Sequence, residues 1–369
     1  MGVDLEALTA AGLYDADAAD ADERRALLEF LTEQGCTVEE MTSAHQRGRL
    51  FALAGDRIVR PGRDEHTLAD VADRLDMPID EVRAAWRAFG LVDLGADSPV
   101  ASTDDVEMLR VLRDMGSVLG FDAVLGLARV MGSAMARIGD ATSTVVRGRM
   151  PAMSVAVSGS ELTTARSFAG VASIVPRVGV ALDTLYRHHL ENARMHFERT
   201  ESWDVVGEGG IRVGVGFADL CGFTGMTEQL SMDGLTQLLT RFEEVASDVV
   251  QDHGARVVKF LGDAVMFVTP DPVSAVAAAD DLVTAAEQRG LQARAGVSSG
   301  TVLALDGDYF GPVVNLASRL VGVAEPGDVL ASYDVVERIG DRRDVTSLGP
   351  QQIRGFTELV EIYRLSRTR

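Results

Sequence analysis

HGARVVKFLGDAVMFV, residues 253–268, decides how the second half of this 369-residue chain is read. Two valine-rich runs flank Gly262-Asp263, a dipeptide that turns a β-hairpin. The first run carries Lys259, the one lysine in the sequence; the other 34 of its 35 basic residues are arginine. Lysine offers a compact ammonium on a thin stem, whereas arginine offers a broad planar fork. A chain that meets nearly every need for positive charge with arginine has kept a point donor in this strand. A single lysine can also be an accident of composition, so its neighbours have to decide.

Short β-rich runs and helices alternate on either side of the hairpin. IRVGVGFADL (211–220) reads as a strand and Ser231 to His253 as a helix. PVSAVAAADDLVTAAEQRG (272–290) reads as a helix and LQARAGVSSGTVLAL (291–305) as strands. A loop, GDYFGP (307–312), leads into VVNLASRLVGVA (313–324), and QQIRGFTELVEIYRLS (351–366) closes the chain. Residues 201–369 therefore form an α+β sheet domain, and residues 1–200 read as an all-helical one that ends in a linker helix.

In the helical part, ADERRALLEFLTEQG (21–35) and TVEEMTSAHQRG (37–48) begin with capping-type residues. Leu127, Val130, Met131, Ala134, Met135 and Ile138 make one apolar stripe at helical spacing, read as core. HTLADVADRLDMPIDEVRAAWRAFG (66–90) has the cadence of a helix-turn-helix. Its second helix opens Ile79, Asp80, Glu81, where negative charge would face phosphate, so a structural helix pair is favoured and DNA binding stays a minor alternative.

The net charge of −21 argues against nucleic acid and anionic membranes as partners, since both are held through Lys and Arg. Cys36 and Cys221 form no metal-spaced pair and read as reduced thiols of a cytoplasmic protein. The N-terminus is acidic from its fourth residue and lacks the basic region of a signal peptide. FAGVASIVPRVGVAL (168–182), broken by Pro176 and Arg177, is too short to span a bilayer.

Chemistry concentrates at strand ends. Asp219 ends an apolar strand and Asp263 sits in the hairpin turn; each alone has a conformational explanation. Together they offer hard oxygen ligands to divalent cations on a phosphate substrate. Asp308 lies in the Gly-rich loop, and Asn315 and Arg319, four apart, share one face of the next helix. A helix cap and a surface ion pair would account for the last two singly; their joint occurrence with Lys259 weakens that account.

With these residues in view, residues 205–365 resemble the catalytic domain of the class III nucleotidyl cyclases, a ferredoxin-like fold. FADLCGFTGMTE resembles the first metal motif of that family, HGARVVKFLGDAVMFV its purine-recognition hairpin with the second metal position, and GDYFGPVVNLASRL its transition-state segment. The resemblance implies that Asp219 and Asp263 hold two Mg²⁺ or Mn²⁺ ions and that Lys259 and Asp308 recognise the purine. It implies that Asn315 orients the ribose, Arg319 stabilises the pentacovalent phosphorus, and Arg354 lies near the triphosphate. Asp328 stands where some members carry a phosphate-binding Arg, and GVSSG (296–300) lacks a histidine common in the family. The metal aspartates and the other four residues come from different subunits in that family, which implies a head-to-tail homodimer.

Adenine offers an acceptor at N1 and a donor at its exocyclic amine, and guanine reverses both. Lys259 only donates and ionised Asp308 only accepts, so the expected substrate is ATP and the expected product cyclic AMP. The domain order resembles the soluble bacterial cyclases, common in mycobacteria, whose helical module is regulatory or autoinhibitory. LDTLYRHHLENARMHF (182–197) places an apolar stripe beside His188, His189 and His196; solvated helix-face histidines are the favoured reading, and modulation by pH or an apolar ligand is carried as the alternative. The alternative to a cyclase is a catalytically silent nucleotide-binding module of the same fold.

Overall fold

The computed structural model describes residues 3–62, 64–95, 98–150, 153–199 and 210–366, with the backbone alone for 195–199. The chain divides into two compact units, Met1–His188 and His189–Arg369.

The first unit is helical. Its helices are α1 (Leu5–Ala10), α2 (Ala21–Glu33), α3 (Val38–Gln46), α4 (Leu53–Val59), α5 (Leu68–Leu75) and α6 (Ile79–Ala88). There follow α7 (Thr103–Leu119), α8 (Phe121–Arg149), α9 (Val155–Ser158), α10 (Glu161–Ala172) and α11 (Val175–Arg199), of which the part to His188 belongs to this unit. Leu8, Leu27, Leu28, Leu31 and Met41 bury against Ala165 of α10, while Leu68, Val71, Leu75, Trp86 and Leu109 build a separate core. Capping boxes start α3 (Thr37–Glu40), α5 (Thr67–Asp70) and α7 (Ser102–Asp105).

The helix-turn-helix cadence is real, with Asp76 left-handed at φ 50° between α5 and α6. The basic side chains of α6 are engaged, however. Arg83 and Arg87 both pair with Asp93, at 2.9 and 2.6 Å, and the Arg83 guanidinium holds the Asp93 carboxyl well below its usual range.

The methionine stripe departs from expectation. Val124, Leu125 and Ala128 of α8 are buried, but Met131, Met135 and Ile138 are 45%, 48% and 39% exposed. At Gly132 a Cβ would lie 2.5 Å from the Phe89 backbone, so α8 crosses the end of α6 there and then runs past it. Periodicity supplied an apolar face; the partner helix ends before the face does.

Pro176 falls in the first turn of α11, where its missing N–H costs nothing. The helical stretch Glu161–Arg194 is long and apolar enough to cross a membrane by length and composition, contrary to the expectation from the broken run, although it also carries Arg166, Arg177, Asp183 and Arg187. Tyr186 and Leu190 of the expected stripe are each 57% exposed, while the side chains of His196 and Phe197 and the linker 200–209 lie outside the described residues.

The second unit is an eight-stranded sheet in the order β2-β3-β1-β4-β6-β8-β7, with β5 paired to β4. Its strands are β1 (Gly210–Leu220), β2 (Arg256–Leu261), β3 (Ala264–Thr269), β4 (Ala293–Leu305) and β5 (Asp308–Phe310). They continue with β6 (Val329–Ser332), β7 (Val345–Gln351) and β8 (Val360–Leu365). All pairs are antiparallel except β4 with β6, which are joined through α15 (Pro312–Val323). One face packs Ala218, Leu220, Phe267 and Val297 beneath α13 (Met232–Asp252) and α14 (Pro272–Gln288). The other packs Val213, Val215 and Phe217 against Ala317 and Val321 of α15. A short helix, α12 (Phe223–Thr227), follows β1, and α16 (Tyr333–Ile339) follows β6.

The segment 291–305 is one long strand rather than several, and the expected loop at 307–312 contains β5. Asp306 and Gly307 turn the β4–β5 hairpin with φ of 54° and 79°, the positive values that a two-residue type I′ turn requires. Gly296 lets α15 lie directly on β4: a Cβ there would stand 2.6 Å from the Ala317 oxygen and 2.7 Å from Leu320 Cβ. Gly296→Ala should cost about 1–3 kcal/mol of stability by forcing the helix away. Urea unfolding of the full chain measures it, and an unchanged midpoint would contradict the tight contact.

Candidate active site

Antiparallel register brings the two strand-end carboxylates together. Asp219 is the cross-strand partner of Ala264, and the Leu220 amide donates to the Asp263 oxygen at 3.1 Å. Gly262, at φ 67°, takes the first place in the turn and leaves Asp263 the second. Partial burial and then the neighbouring Asp219 charge push the Asp263 carboxyl above its usual range, with Arg294 opposing the rise. Arg294, directly across from Asp219 on β4, donates to its Oδ2 at 3.1 Å.

This donor set suits a hard divalent cation. It is two oxygen ligands whose mutual repulsion a cation would relieve, and among the described residues no cluster of three or more His, Cys, Asp or Glu is shaped to enclose a metal. Magnesium-type ions fit such open sites, because they keep waters and take substrate phosphates as further ligands. Both cysteines are free; burial raises the Cys221 thiol beside this pair, and it pushes Cys36 up to about 11.

The second constellation lies on the edge of the sheet. Lys259 projects from β2 and forms an ion pair with Asp308, the first residue of β5. The other Asp308 oxygen accepts the Tyr309 amide at 2.8 Å, which fixes the carboxylate's orientation. Arg256, three residues before Lys259, donates to the Tyr309 hydroxyl at 2.9 Å and lies over its ring at 5.3 Å. Two parallel links thus hold a three-residue strand to β2, with which it shares no ladder. The β2 register shifts between Val257 and Lys259, which re-aims the lysine relative to a regular strand.

Asn315 and Arg319 lie on the exposed side of α15, and among the described residues neither side chain has a hydrogen-bond partner. Pro312 opens the helix and Gly311 precedes it at φ 138°. Arg354 is exposed in the β7–β8 connection, and no contact joins it to the other candidates. Asp328 pairs with Arg364 of β8 at 2.9 Å, so at this position the chain uses a carboxylate for its own fold. Ser298 and Ser299 are buried inside β4.

Sequence reasoning missed Arg256, Tyr309 and Arg294. Arg294 acts on a cross-strand neighbour, and Arg256 meets Tyr309 between two strands that share no ladder; periodicity reveals neither. The Asp-Gly at 306–307 was the available signal for the hairpin that brings Tyr309 to Arg256.

Residues 207–367 match the adenylate and guanylate cyclase catalytic domain, and residues 4–194 match the adenylate cyclase regulatory domain. An "Uncharacterized protein" of Mycobacterium tuberculosis (strain H37Rv) is 43% identical over 98% of this chain and 94% of its own length. A protein of M. tuberculosis (strain CDC 1551) named pH-sensitive adenylate cyclase is 29% identical over 94% of this chain and 88% of its own. An adenylate cyclase of Streptomyces coelicolor is 30% identical over 70% of this chain and 68% of its own.

The carboxylate pair makes a stability test. A raised carboxyl pKa in the fold means that stability is full below the ordinary range and falls as pH rises through the raised value. Asp263→Asn cannot ionise, so at neutral pH without metal it should melt about 2 °C above the parent. At a pH below the ordinary carboxylate range the difference should vanish. Calorimetry of both proteins decides; a lower melting point at neutral pH would contradict the repulsion.

Proposed function

The chain belongs to the adenylate and guanylate cyclase family, and from that premise we propose that it is an adenylyl cyclase that converts ATP to 3′,5′-cyclic AMP and pyrophosphate. The Lys259–Asp308 pair carries this reading. An ammonium donor beside a carboxylate acceptor matches adenine N1 and its exocyclic amine; against guanine it sets donor on donor and acceptor on acceptor. Sites built on such bonds discriminate far better than apolar pockets do.

The remaining residues divide the work. Asp219 and Asp263 hold two Mg²⁺ or Mn²⁺ ions, which when bound neutralise charge on the attacking and leaving oxygens. Asn315 orients the ribose. The 3′-oxygen attacks the α-phosphorus in line, its proton passes to water, and the bond to the β-phosphate oxygen breaks to release pyrophosphate. Arg319 supplies positive charge to the crowded phosphorus, and Arg354 neutralises the departing pyrophosphate. No side chain forms a covalent intermediate.

The site is assembled by two copies arranged head to tail, Asp219 and Asp263 coming from one and Lys259, Asp308, Asn315 and Arg319 from the other. Apolar surface beside Asp308 supports a partner there: Leu303, Leu305 and Phe310 are 43%, 52% and 47% exposed. The boundary near residue 200 separates a restraining helical domain from the cyclase. Support for a proton-sensitive restraint comes from the pH-sensitive adenylate cyclase that matches 94% of this chain, regulatory part included.

Purified full chain with Mn²⁺ should make cyclic AMP from ATP and little cyclic GMP from GTP, and Asp219→Ala should make neither. Lys259→Arg should lower kcat/KM for ATP roughly 10- to 100-fold, the worth of one charged hydrogen bond, while the fold survives. Predominant cyclic GMP would overturn the purine assignment, and no product from any form would favour the silent module. Residues 201–369 should turn over faster than the full chain, with a flatter profile across about pH 5 to 8. Equal rates and profiles would remove the restraint.

A further inference from the structure

Arg294 makes two contacts that belong to different active sites. One guanidinium nitrogen, Nη2, donates to Asp219 Oδ2 at 3.1 Å. The other, Nη1, donates to the main-chain oxygen of Ala324 at 3.0 Å. Ala324 is the buried residue that ends α15, and its ψ of 142° turns its carbonyl out of the helical direction and onto the guanidinium. A planar fork with N–H groups on separate nitrogens spans both acceptors, whereas an ammonium at the same place would have to choose. The strand and helix are already in direct contact at Gly296, two residues further along β4, so the guanidinium works at the fixed end of a tight junction.

We propose that Arg294 is a positioning residue that couples the two active sites of the dimer. It ties Asp219, which serves one site, to the end of α15, which carries Asn315 and Arg319 to the other. The inference rests on the head-to-tail arrangement proposed above. Arg319 stands five residues from Ala324, about 7.5 Å along the helix, so freeing the end of α15 changes the aim of Arg319. Whatever occupies the Asp219 oxygen in one site alters the hold on Ala324, and that change is felt at the phosphorus of the other site.

Complementation places the effect in one chain or the other. A chain carrying Asp219→Asn supplies only α15, a chain carrying Asn315→Ala supplies only the metal carboxylates, and their heterodimer has one working site. Arg294→Lys keeps the charge and loses the bridge. In the chain that supplies α15 it should lower kcat about tenfold at saturating Mn²⁺ with the Mn²⁺ requirement unchanged, the lower end of what removing a supporting contact costs. In the chain that supplies the carboxylates it should leave kcat within about twofold. The α15-supplying chain should also work better with Asp219→Asn than with Asp219→Ala, because asparagine still accepts from Arg294 although that Asp219 binds no metal in the working site.

A second readout needs no turnover. Full-length Arg294→Met, in which an Asp219 oxygen is freed and a repelling positive charge is removed, should bind Mn²⁺ alone at lower concentration by EPR titration. Circular dichroism of each variant checks the fold. Equal loss from Arg294→Lys in either chain, loss in neither, or an unchanged Mn²⁺ isotherm would overturn the coupling. If the two crippled chains fail to complement at all, the head-to-tail arrangement falls and the coupling with it; the EPR titration still reports the Arg294 contact to Asp219.

Discussion

Two like charges, Asp219 and Asp263, are brought together by backbone hydrogen bonds that cannot shift without dismantling the middle of the sheet. β1 lies between β3 and β4 from Gly214 to Asp219, so the repulsion cannot relax by sliding a strand. It has to be met by positive charge. Within the chain that charge is Arg294, which shares Asp219's register and reaches the end of α15. The position of α15 therefore follows from the same constraint that crowds the two carboxylates. Chemistry and architecture share one guanidinium.

The Lys259–Asp308 end is organised on the opposite plan. There the charges are unlike, they lie on an edge, and the strand that brings one of them is only three residues long. So short a strand has little ladder of its own, and β5 stays in place through side chains: Lys259 to Asp308, and Arg256 to Tyr309. The carboxylate pair is held by backbone and tuned by a side chain; the Lys259–Asp308 pair is held by side chains and tuned by a turn.

The division into a helical and an α+β half was legible because hydrophobic period is a local property. Asp219 and Asp263 were legible for a related reason: a carboxylate at the end of an apolar strand stands out against its surroundings. β5 was not, because three residues between glycines give no period, and the informative signal was the Asp306-Gly307 pair rather than the strand. Arg294 and Arg256 were hidden by abundance, two arginines among 34, and their partners lie 75 and 53 residues away. The α8 stripe shows the opposite error. Its spacing announced an apolar face correctly, but period does not say whether a neighbour is long enough to cover it.

The Asp306-Gly307 turn carries a consequence for how this site can change over generations of sequence. Successive residues of a strand point to opposite faces, so the turn works as a counter that delivers Asp308 to the side where Lys259 waits. One residue gained or lost between Leu305 and Asp308 would send the carboxylate to the other face while leaving every motif readable in the sequence. Substitutions that keep the two positive φ values are tolerated by the turn, whereas a change of length is not. Two homologues with the same residues and a hairpin differing by one would not present the same ion pair on this edge.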